Sequence, residues 1–237
     1  MSHVMSTDGE QQPIKRQGTA EAFDDIAHEF HHARRKPWPS LGQLGDCRGM
    51  SILDLGAGSG RNTRSLAECG ADTIVAADIS LEMLRTLLSS TQGGMLERIN
   101  AVRCDAKCLP FKEDTFQRVA FVAALHHIRG ASGRAKAMEE TTRVTAPGGM
   151  VLVTVWDPRQ ALKVRIDKGI KPVHGGEPGD YYVPWGKKME RFYHFFSQGE
   201  LEELMKSAGL TLSQVFHERA SSGLDAENWV VVARKEG

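Results

Sequence analysis

The chain has 237 residues, 41% of them hydrophobic, with 30 basic against 30 acidic side chains and no formal net charge. That length and apolar content can bury one sizeable α/β core, and no apolar run reaches the roughly 18 residues that a membrane-spanning helix needs. A balanced charge neither demands nor excludes a polyanionic partner, so what matters is where the charge sits.

The first residues are polar, with Asp8 and Glu10 and no apolar core, which suits a disordered tail over 1–19 and not a signal peptide. Residues 20–237 read as one domain. Phe23, Ile26, Ala27 and Phe30 recur at helical spacing and predict an amphipathic helix over 20–35. Lys36-Pro37-Trp38-Pro39 should stop it, because each proline removes a donor and excludes the residue before it from the helix. Cys47, Cys69, Cys104 and Cys108 are scattered, which fits free thiols in a reducing compartment better than a disulfide framework. Cys104 and Cys108 lack the partners of a zinc site.

Ile52 to Leu55 then reads as a buried strand carrying Asp54, followed by the alternating glycines Gly56, Gly58 and Gly60 and a helix from Asn62. Such a turn lets backbone pass close to a bound nucleotide-like ligand. A dinucleotide fingerprint needs G-x-G-x-x-G, and its third glycine position is Arg61, which weakens the pyrophosphate reading. Thr73 to Asp78 reads as a second strand with an acid at its tip, where a ribose diol finds acceptors. Ala101 to Ala106 gives a third strand containing Asp105, and Arg118 to Leu125 a fourth that runs into His126-His127. Pro147-Gly148-Gly149 turns the chain into a fifth, Met150 to Val155. The alternation implies a parallel sheet with helices on both faces, and ligands bind beyond the carboxyl ends of such strands.

Residues 157–196 break the alternation. They hold seven of the sixteen aromatic residues and all three tyrosines, with eight Lys/Arg against five Asp/Glu. That composition predicts an ordered cap over the strand ends. Its aromatics either stack on unpaired bases beside phosphate-binding cations or simply pack the cap onto the sheet. Ser197 with Glu200 starts a capped helix through Leu201, Leu204, Met205 and Ala208. Thr211 to Phe216 and Trp229 to Ala233 supply two last strands, one antiparallel, for a total of seven.

The Asp54-to-Gly60 turn resembles motif I of the class I S-adenosylmethionine-dependent methyltransferases. The resemblance implies a Rossmann-like, seven-stranded, mostly parallel α/β sheet with helices on both faces and a substrate-capping insertion after the fifth strand. It implies S-adenosylmethionine as cofactor, held by Asp54, Gly56, Ala57, Gly58, Gly60 and Asn62, by Asp78 and Ile79, by Asp105 and Ala106 beside the adenine, and by Ala123 and Leu125. Four further stretches are more specific: His28-Glu29-Phe30 with Ala33-Arg34-Arg35-Lys36-Pro37-Trp38-Pro39, then Asp180 to Trp185, Arg191 to Phe196 running into Gly199-Glu200-Leu201, and Glu227 to Val230. They resemble the tRNA wobble-uridine carboxymethyl methyltransferases over residues 20–235. The match is to the stand-alone form, without the AlkB-type or RNA-recognition domains of the animal enzyme. Residues 129–133 are richer in glycine and alanine than that family suggests.

The activity so implied is esterification of the carboxymethyl group on carbon 5 of the wobble uridine, with the tRNA anticodon loop as partner. A carboxylate is already a nucleophile at pH 7; the site must desolvate it, align it and compensate its charge. Arg34 is the first choice, because a guanidinium matches a carboxylate bidentately, with Lys36 and His126 as the other catalytic candidates. A solvated charged run at a helix end accounts for Arg34 to Lys36 equally simply. Adjacent histidines at a strand end should face opposite sides, so one of His126 and His127 should line the site. Arg35, Trp38, Trp156, Trp185, Tyr193 and His194 are candidates for the substrate surface. The resemblance also implies a small zinc-binding activator protein, paired with the third strand (Asn100 to Cys104) as a heterodimer, and a cytoplasmic or nuclear location. Two other readings stand: methylation of a small-molecule carboxylate or ring carbon, and a catalytically silent RNA-binding scaffold.

Overall fold

A computed structural model of the chain describes residues 15–16, 18–159, 169–186, 189–219 and 227–237. A two-residue strand, β1 (Lys15–Arg16), precedes the entry helix α1 (Thr19–Ala33). Strands and helices then alternate through β2 (Ser51–Leu55), α2 (Arg61–Glu68), β3 (Thr73–Asp78), α3 (Leu81–Ser90), β4 (Ile99–Arg103), β5 (Phe116–Val122), α4 (Ala131–Val144) and β6 (Thr145–Trp156). After them come β7 (Lys171–Pro172), β8 (Asp180–Trp185), β9 (Met189–His194), α5 (Gln198–Ser207), β10 (Leu210–Arg219) and β11 (Glu227–Lys235). No helix among the described residues is long and apolar enough to cross a membrane.

Seven strands form the main sheet in the order β10-β11-β6-β5-β2-β3-β4. β4, β3, β2, β5 and β6 are parallel, β11 runs antiparallel to β6, and β10 antiparallel to β11. Side chains alternate across the pleat, so neighbours in one strand feed separate cores. Ile52 joins Leu44, Leu66 and Leu152 on one face, whereas Leu53 and Leu55 join Phe121, Val153, Phe196 and Met205 on the other. The expected class I architecture, with one reversed strand, is the one observed.

Element ends move by a few residues, each for a local reason. α1 stops at Ala33, and Arg34 leaves the helix with φ −131° and ψ 70°. β4 ends at Arg103 because Asp105 starts a tight turn, its carbonyl accepting from Cys108 N–H at 2.9 Å. β5 ends at Val122 because Ala123 takes a left-handed φ of 54°, held by its N–H donating to Thr154 O at 3.0 Å and Thr154 Oγ1 at 2.9 Å. A non-glycine residue in that region is uncommon and is retained where surrounding structure enforces it. Leu125 to His127 is therefore a 3-10 turn and not strand. Both histidines are buried with rings 4.4 Å apart, so the expected opposite orientation, which presumed strand geometry, does not hold.

Most of the tail expected over 1–19 lies outside the described residues, but Lys15 and Arg16 pair in parallel with Met189 and Glu190. Residues 160–168 and 187–188 of the expected cap also lie outside them. The rest of that segment forms a second sheet, β1-β9-β8-β7, with β7, β8 and β9 antiparallel. An ionic knot fastens it. Arg134 of α4, with a side chain only 2% exposed, pairs with Glu177 and lies 3.7 Å from Glu200. The two ring nitrogens of His194 meet Asp180 Oδ1 and Glu200 Oε1, each at 2.7 Å.

Candidate functional site

The site is a cavity of about 290 Å³ beyond the carboxyl ends of β2, β3, β4, β5 and β6, roofed by α1 and β9. Its floor is the glycine turn. Gly56, Gly58 and Gly60 have φ of 72°, 53° and 84°, which side chains rarely tolerate. A Cβ on Gly56 would stand 2.3 Å from Ala124 Cβ, and one on Gly60 would meet Leu87 Cγ at 2.5 Å. The turn is pinned by Gly56 N–H and Ala57 N–H donating to Ala77 O at 2.8 and 3.1 Å.

Asp78, at the tip of β3, organises the next wall. Its Oδ2 accepts from Gly58 N–H at 2.8 Å and its Oδ1 from Ser80 N–H at 2.9 Å. Each oxygen keeps a second acceptor position, and the carboxylate is on the cavity wall, an arrangement suited to a vicinal diol. Burial pushes its pKa above the usual carboxylate value, with the backbone donors opposing. Ile79, Asp105 and Ala106 extend the wall to a flank of mixed apolar and polar side chains. Asp105 is partly engaged, accepting from Lys107 N–H at 2.9 Å. A glycine cradle, a diol acceptor and a flank for a planar base are what a nucleoside cofactor with a short aliphatic arm requires.

The opposite end is aromatic and cationic. Tyr193 stacks on His126 with centroids 5.0 Å apart and planes 16° apart, and it meets Trp156 at 4.6 Å. Arg61 lies over Trp38 at 5.1 Å, its pKa pulled down to about 10 by burial and by Arg34. Six cations line the cavity, Arg34, Lys36, Arg61, Lys107, Arg129 and Arg191, against two carboxylates, Asp78 and Asp105. The deficit of negative charge marks a site for an anion. His126 does not add to the positive charge: burial first, then His127 and Arg191, hold its pKa well below the usual histidine value, so the ring is neutral at pH 7.

Of the residues singled out from the sequence, Arg34, Lys36, His126, Gly56, Ala57, Gly58, Asn62, Asp78, Ile79, Asp105, Ala106, Ala123, Trp38, Trp156 and Tyr193 share this cavity. The others do not line it. Asp54 is 1% exposed beneath the turn and accepts from Thr63 Oγ1 at 2.6 Å. Gly60 packs on Leu87, and Leu125 is buried in the core. Arg35 points to solvent beside His32. Trp185 sits behind the wall, against Phe30 at 5.8 Å and Arg191 at 4.5 Å. His194 was expected on the substrate surface but is occupied in the ionic knot. Sequence reasoning missed Arg191 and Arg61, and it left open which of His126 and His127 lines the cavity; both do. Strand alternation carries the signal for Arg191, which sits two residues before Tyr193 and so on the same face of β9.

Comparison with known proteins agrees with this geometry. A family model described as a methyltransferase domain matches residues 52–149. A protein of Encephalitozoon cuniculi with a provisional methyltransferase name is 30% identical over 192 residues, covering 79% of this chain and 84% of that one. The tRNA (carboxymethyluridine(34)-5-O)-methyltransferase of Schizosaccharomyces pombe is 26% identical, covering 91% of this chain and 95% of its own. An enzyme of the same name from Xenopus tropicalis is 25% identical, and the chain spans only 41% of its length. Among solved structures, a methyltransferase of Methanosarcina mazei superposes with a TM-score of 0.73 at 21% identity, covering 85% of this chain and 99% of that one. The complex of the Haloferax volcanii Trm112 methyltransferase activator with a provisionally named methyltransferase gives 0.72 at 18%, covering 93% and 98%.

Two outcomes test the site. Asp78→Ala removes two charged acceptors and should weaken S-adenosylmethionine binding about 10- to 150-fold by titration calorimetry; unchanged affinity in a folded variant would remove the diol role. Asp54 has a pKa raised to about 6, first by burial and then by Asp78. Its unfolded value is lower, so its cost is absent at acid pH and grows as pH rises through the folded pKa. Asp54→Asn keeps an acceptor for Thr63, and should match the wild type near pH 4 but exceed it by roughly 2 kcal/mol above pH 7. Denaturant unfolding at both pH values would expose the idea as wrong if the difference were flat.

Proposed function

The chain belongs to the class I S-adenosylmethionine-dependent methyltransferase family, and on that premise we propose that it esterifies the carboxymethyl group on carbon 5 of a tRNA wobble uridine. The observation that carries this reading is the cavity's excess of cations, six against two carboxylates, set among aromatic walls. The Schizosaccharomyces pombe relative of that name, matched over 95% of its length, supports it.

Gly56, Ala57, Gly58 and Asn62 would border the cofactor, Asp78 its ribose hydroxyls, and Ile79, Asp105 and Ala106 its adenine. When bound, S-adenosylmethionine would supply an electrophilic methyl group for the acceptor carboxylate oxygen, with its sulfur as the leaving atom. No proton moves, so the chain needs no general base. Its residues instead hold a carboxylate, strip its water and offset its charge. Neutral His126 can donate a hydrogen bond but cannot supply charge, so that task falls to the arginines. Trp38, Trp156 and Tyr193 offer faces for the extruded uracil, and Arg34, Lys36 and Arg61 meet the sugar-phosphate backbone at the mouth. A small-molecule acceptor would not call for so many cations around the entrance.

The β4 edge suits a partner that adds a strand. β4 pairs with β3 on one side, and among the described residues no strand pairs with its other edge. Leu88 and Leu96, the exposed large hydrophobics at 38% and 42%, lie on α3 and on the turn leading into β4. An unblocked edge beside apolar surface favours association. The activator complex among the structural neighbours makes a small zinc-binding activator the partner proposed here.

The decisive measurement is mass spectrometry of an anticodon stem-loop carrying carboxymethyluridine, incubated with cofactor and the chain, alone and co-expressed with such an activator. A gain of one methyl group, reversed by mild alkali and larger with the activator, is expected. Methylation of small carboxylates or quinols with none on the stem-loop would overturn the tRNA reading. Full turnover by the chain alone would remove only the partner.

A further inference from the structure

We propose that Arg191, and not Arg34, is the catalytic residue that grips the acceptor carboxylate; the assignment rests on the esterification reading above. Arg191 is 5% exposed, yet it is on the wall of the cavity. Its Nε is buried without a hydrogen-bond partner, and no carboxylate among the described residues pairs with its guanidinium. Three rings surround it instead, Trp185 at 4.5 Å, Tyr193 at 5.2 Å and Phe23 at 5.8 Å. Ring faces compensate a cation only in part. Burial and the neighbouring charge of Arg34 both disfavour the charged form, with Tyr193 opposing them.

A buried charge without a counter-ion is costly, and proteins rarely keep one that ligand or metal does not complete. The alternation of β9 sends the nearest acid elsewhere. Glu190 accepts from Lys171 Nζ at 3.2 Å, while Arg191 and Tyr193 share the face turned to the cavity. Arg191 is thus a desolvated planar fork beside the aromatic wall formed by Tyr193, His126 and Trp156, and a planar carboxylate matches it with two parallel hydrogen bonds. Arg34 differs in burial and in setting. It is half-buried at the C-terminal end of α1, adjoining exposed Arg35 and Lys36, where a mobile phosphate is the natural counter-ion. The charges of the two arginines oppose each other, and a bound nucleotide with a carboxylate and a phosphate would relieve both.

The test compares wild type, Arg191→Met, Arg191→Lys and Arg34→Gln. Arg191→Met should bind S-adenosylmethionine within about twofold and unfold at the same or a higher temperature, because an apolar residue replaces an unpaired buried charge. It should lose roughly 100-fold or more in kcat/KM on the carboxymethyl stem-loop. Arg191→Lys should recover part of that loss. Arg34→Gln should act mainly on KM, with a shallower salt dependence. A second readout needs no turnover: with S-adenosylhomocysteine present, the nucleoside uridine-5-acetic acid should raise the wild-type melting temperature and its amide should not, and Arg191→Met should abolish the difference. If the wild type esterifies the stem-loop and Arg191→Met does so within threefold, or melts lower and loses the cofactor as well, Arg191 is a packing residue and this inference falls alone. If the wild type neither esterifies the stem-loop nor discriminates acid from amide, the functional reading falls first.

Discussion

The carboxylate of Asp78 is the constraint on which the cavity depends. By accepting from Gly58 N–H and Ser80 N–H, it ties the glycine turn of one βα unit to the start of α3 in the next. The chain of bonds continues outward. Ser80 Oγ accepts from Met83 N–H to cap α3 and donates to Asp24 Oδ1 at 2.6 Å, which also receives Glu82 N–H at 3.0 Å. Asp24 belongs to α1, so the same relay positions the helix whose end presents Arg34. Backbone N–H groups that would otherwise be orphaned at two strand ends are thereby satisfied, and their donors fix the cavity floor.

Charge explains what the packing is for. The apolar cores on the two faces of the sheet account for the fold, but they give no reason to gather arginines at one end of a cavity. Arg61, at the first turn of α2, is placed where the helix dipole disfavours a cation, and Arg191 is buried with no acid paired to it among the described residues. Such arrangements weaken the free protein and gain their meaning from a ligand of opposite sign. His126 adds nothing to that positive charge, because burial and the neighbouring His127 and Arg191 keep its imidazole neutral.

The cap shows how two roles divide along one strand. On β9 the cavity face carries Arg191 and Tyr193, and the other face carries His194, whose ring is fixed between Asp180 and Glu200 with Arg134 close by. That ionic knot joins α4, α5 and the cap, so it holds the strand that delivers Arg191. Fastening residues and site residues are interleaved at a spacing of one, which is why a motif spanning Arg191 to Phe196 cannot by itself be assigned to substrate.

The sequence alone determined whatever rests on neighbours in the chain. Alternating glycines after a buried strand announce left-handed backbone and close approach, and apolar runs ending in Asp78 or leading to Asp105 announce strand tips; both follow from local sterics and periodicity. The seven-stranded, mostly parallel sheet with one reversed strand was legible once the family resemblance was added, whereas the order of its strands came from the structure. Tertiary structure decided what depends on which face looks inward. Asp54 belongs to the motif but is covered by Thr63, whereas His126 and His127 both line the cavity where one alone was expected to, because a 3-10 turn replaced the expected strand end. Arg34 drew attention in the sequence through its charged neighbours, and Arg191 did not. Only the docking of β9 over the strand ends, set by residues far away in the chain such as Arg134 and Phe23, buries that guanidinium and leaves it with no carboxylate partner among the described residues.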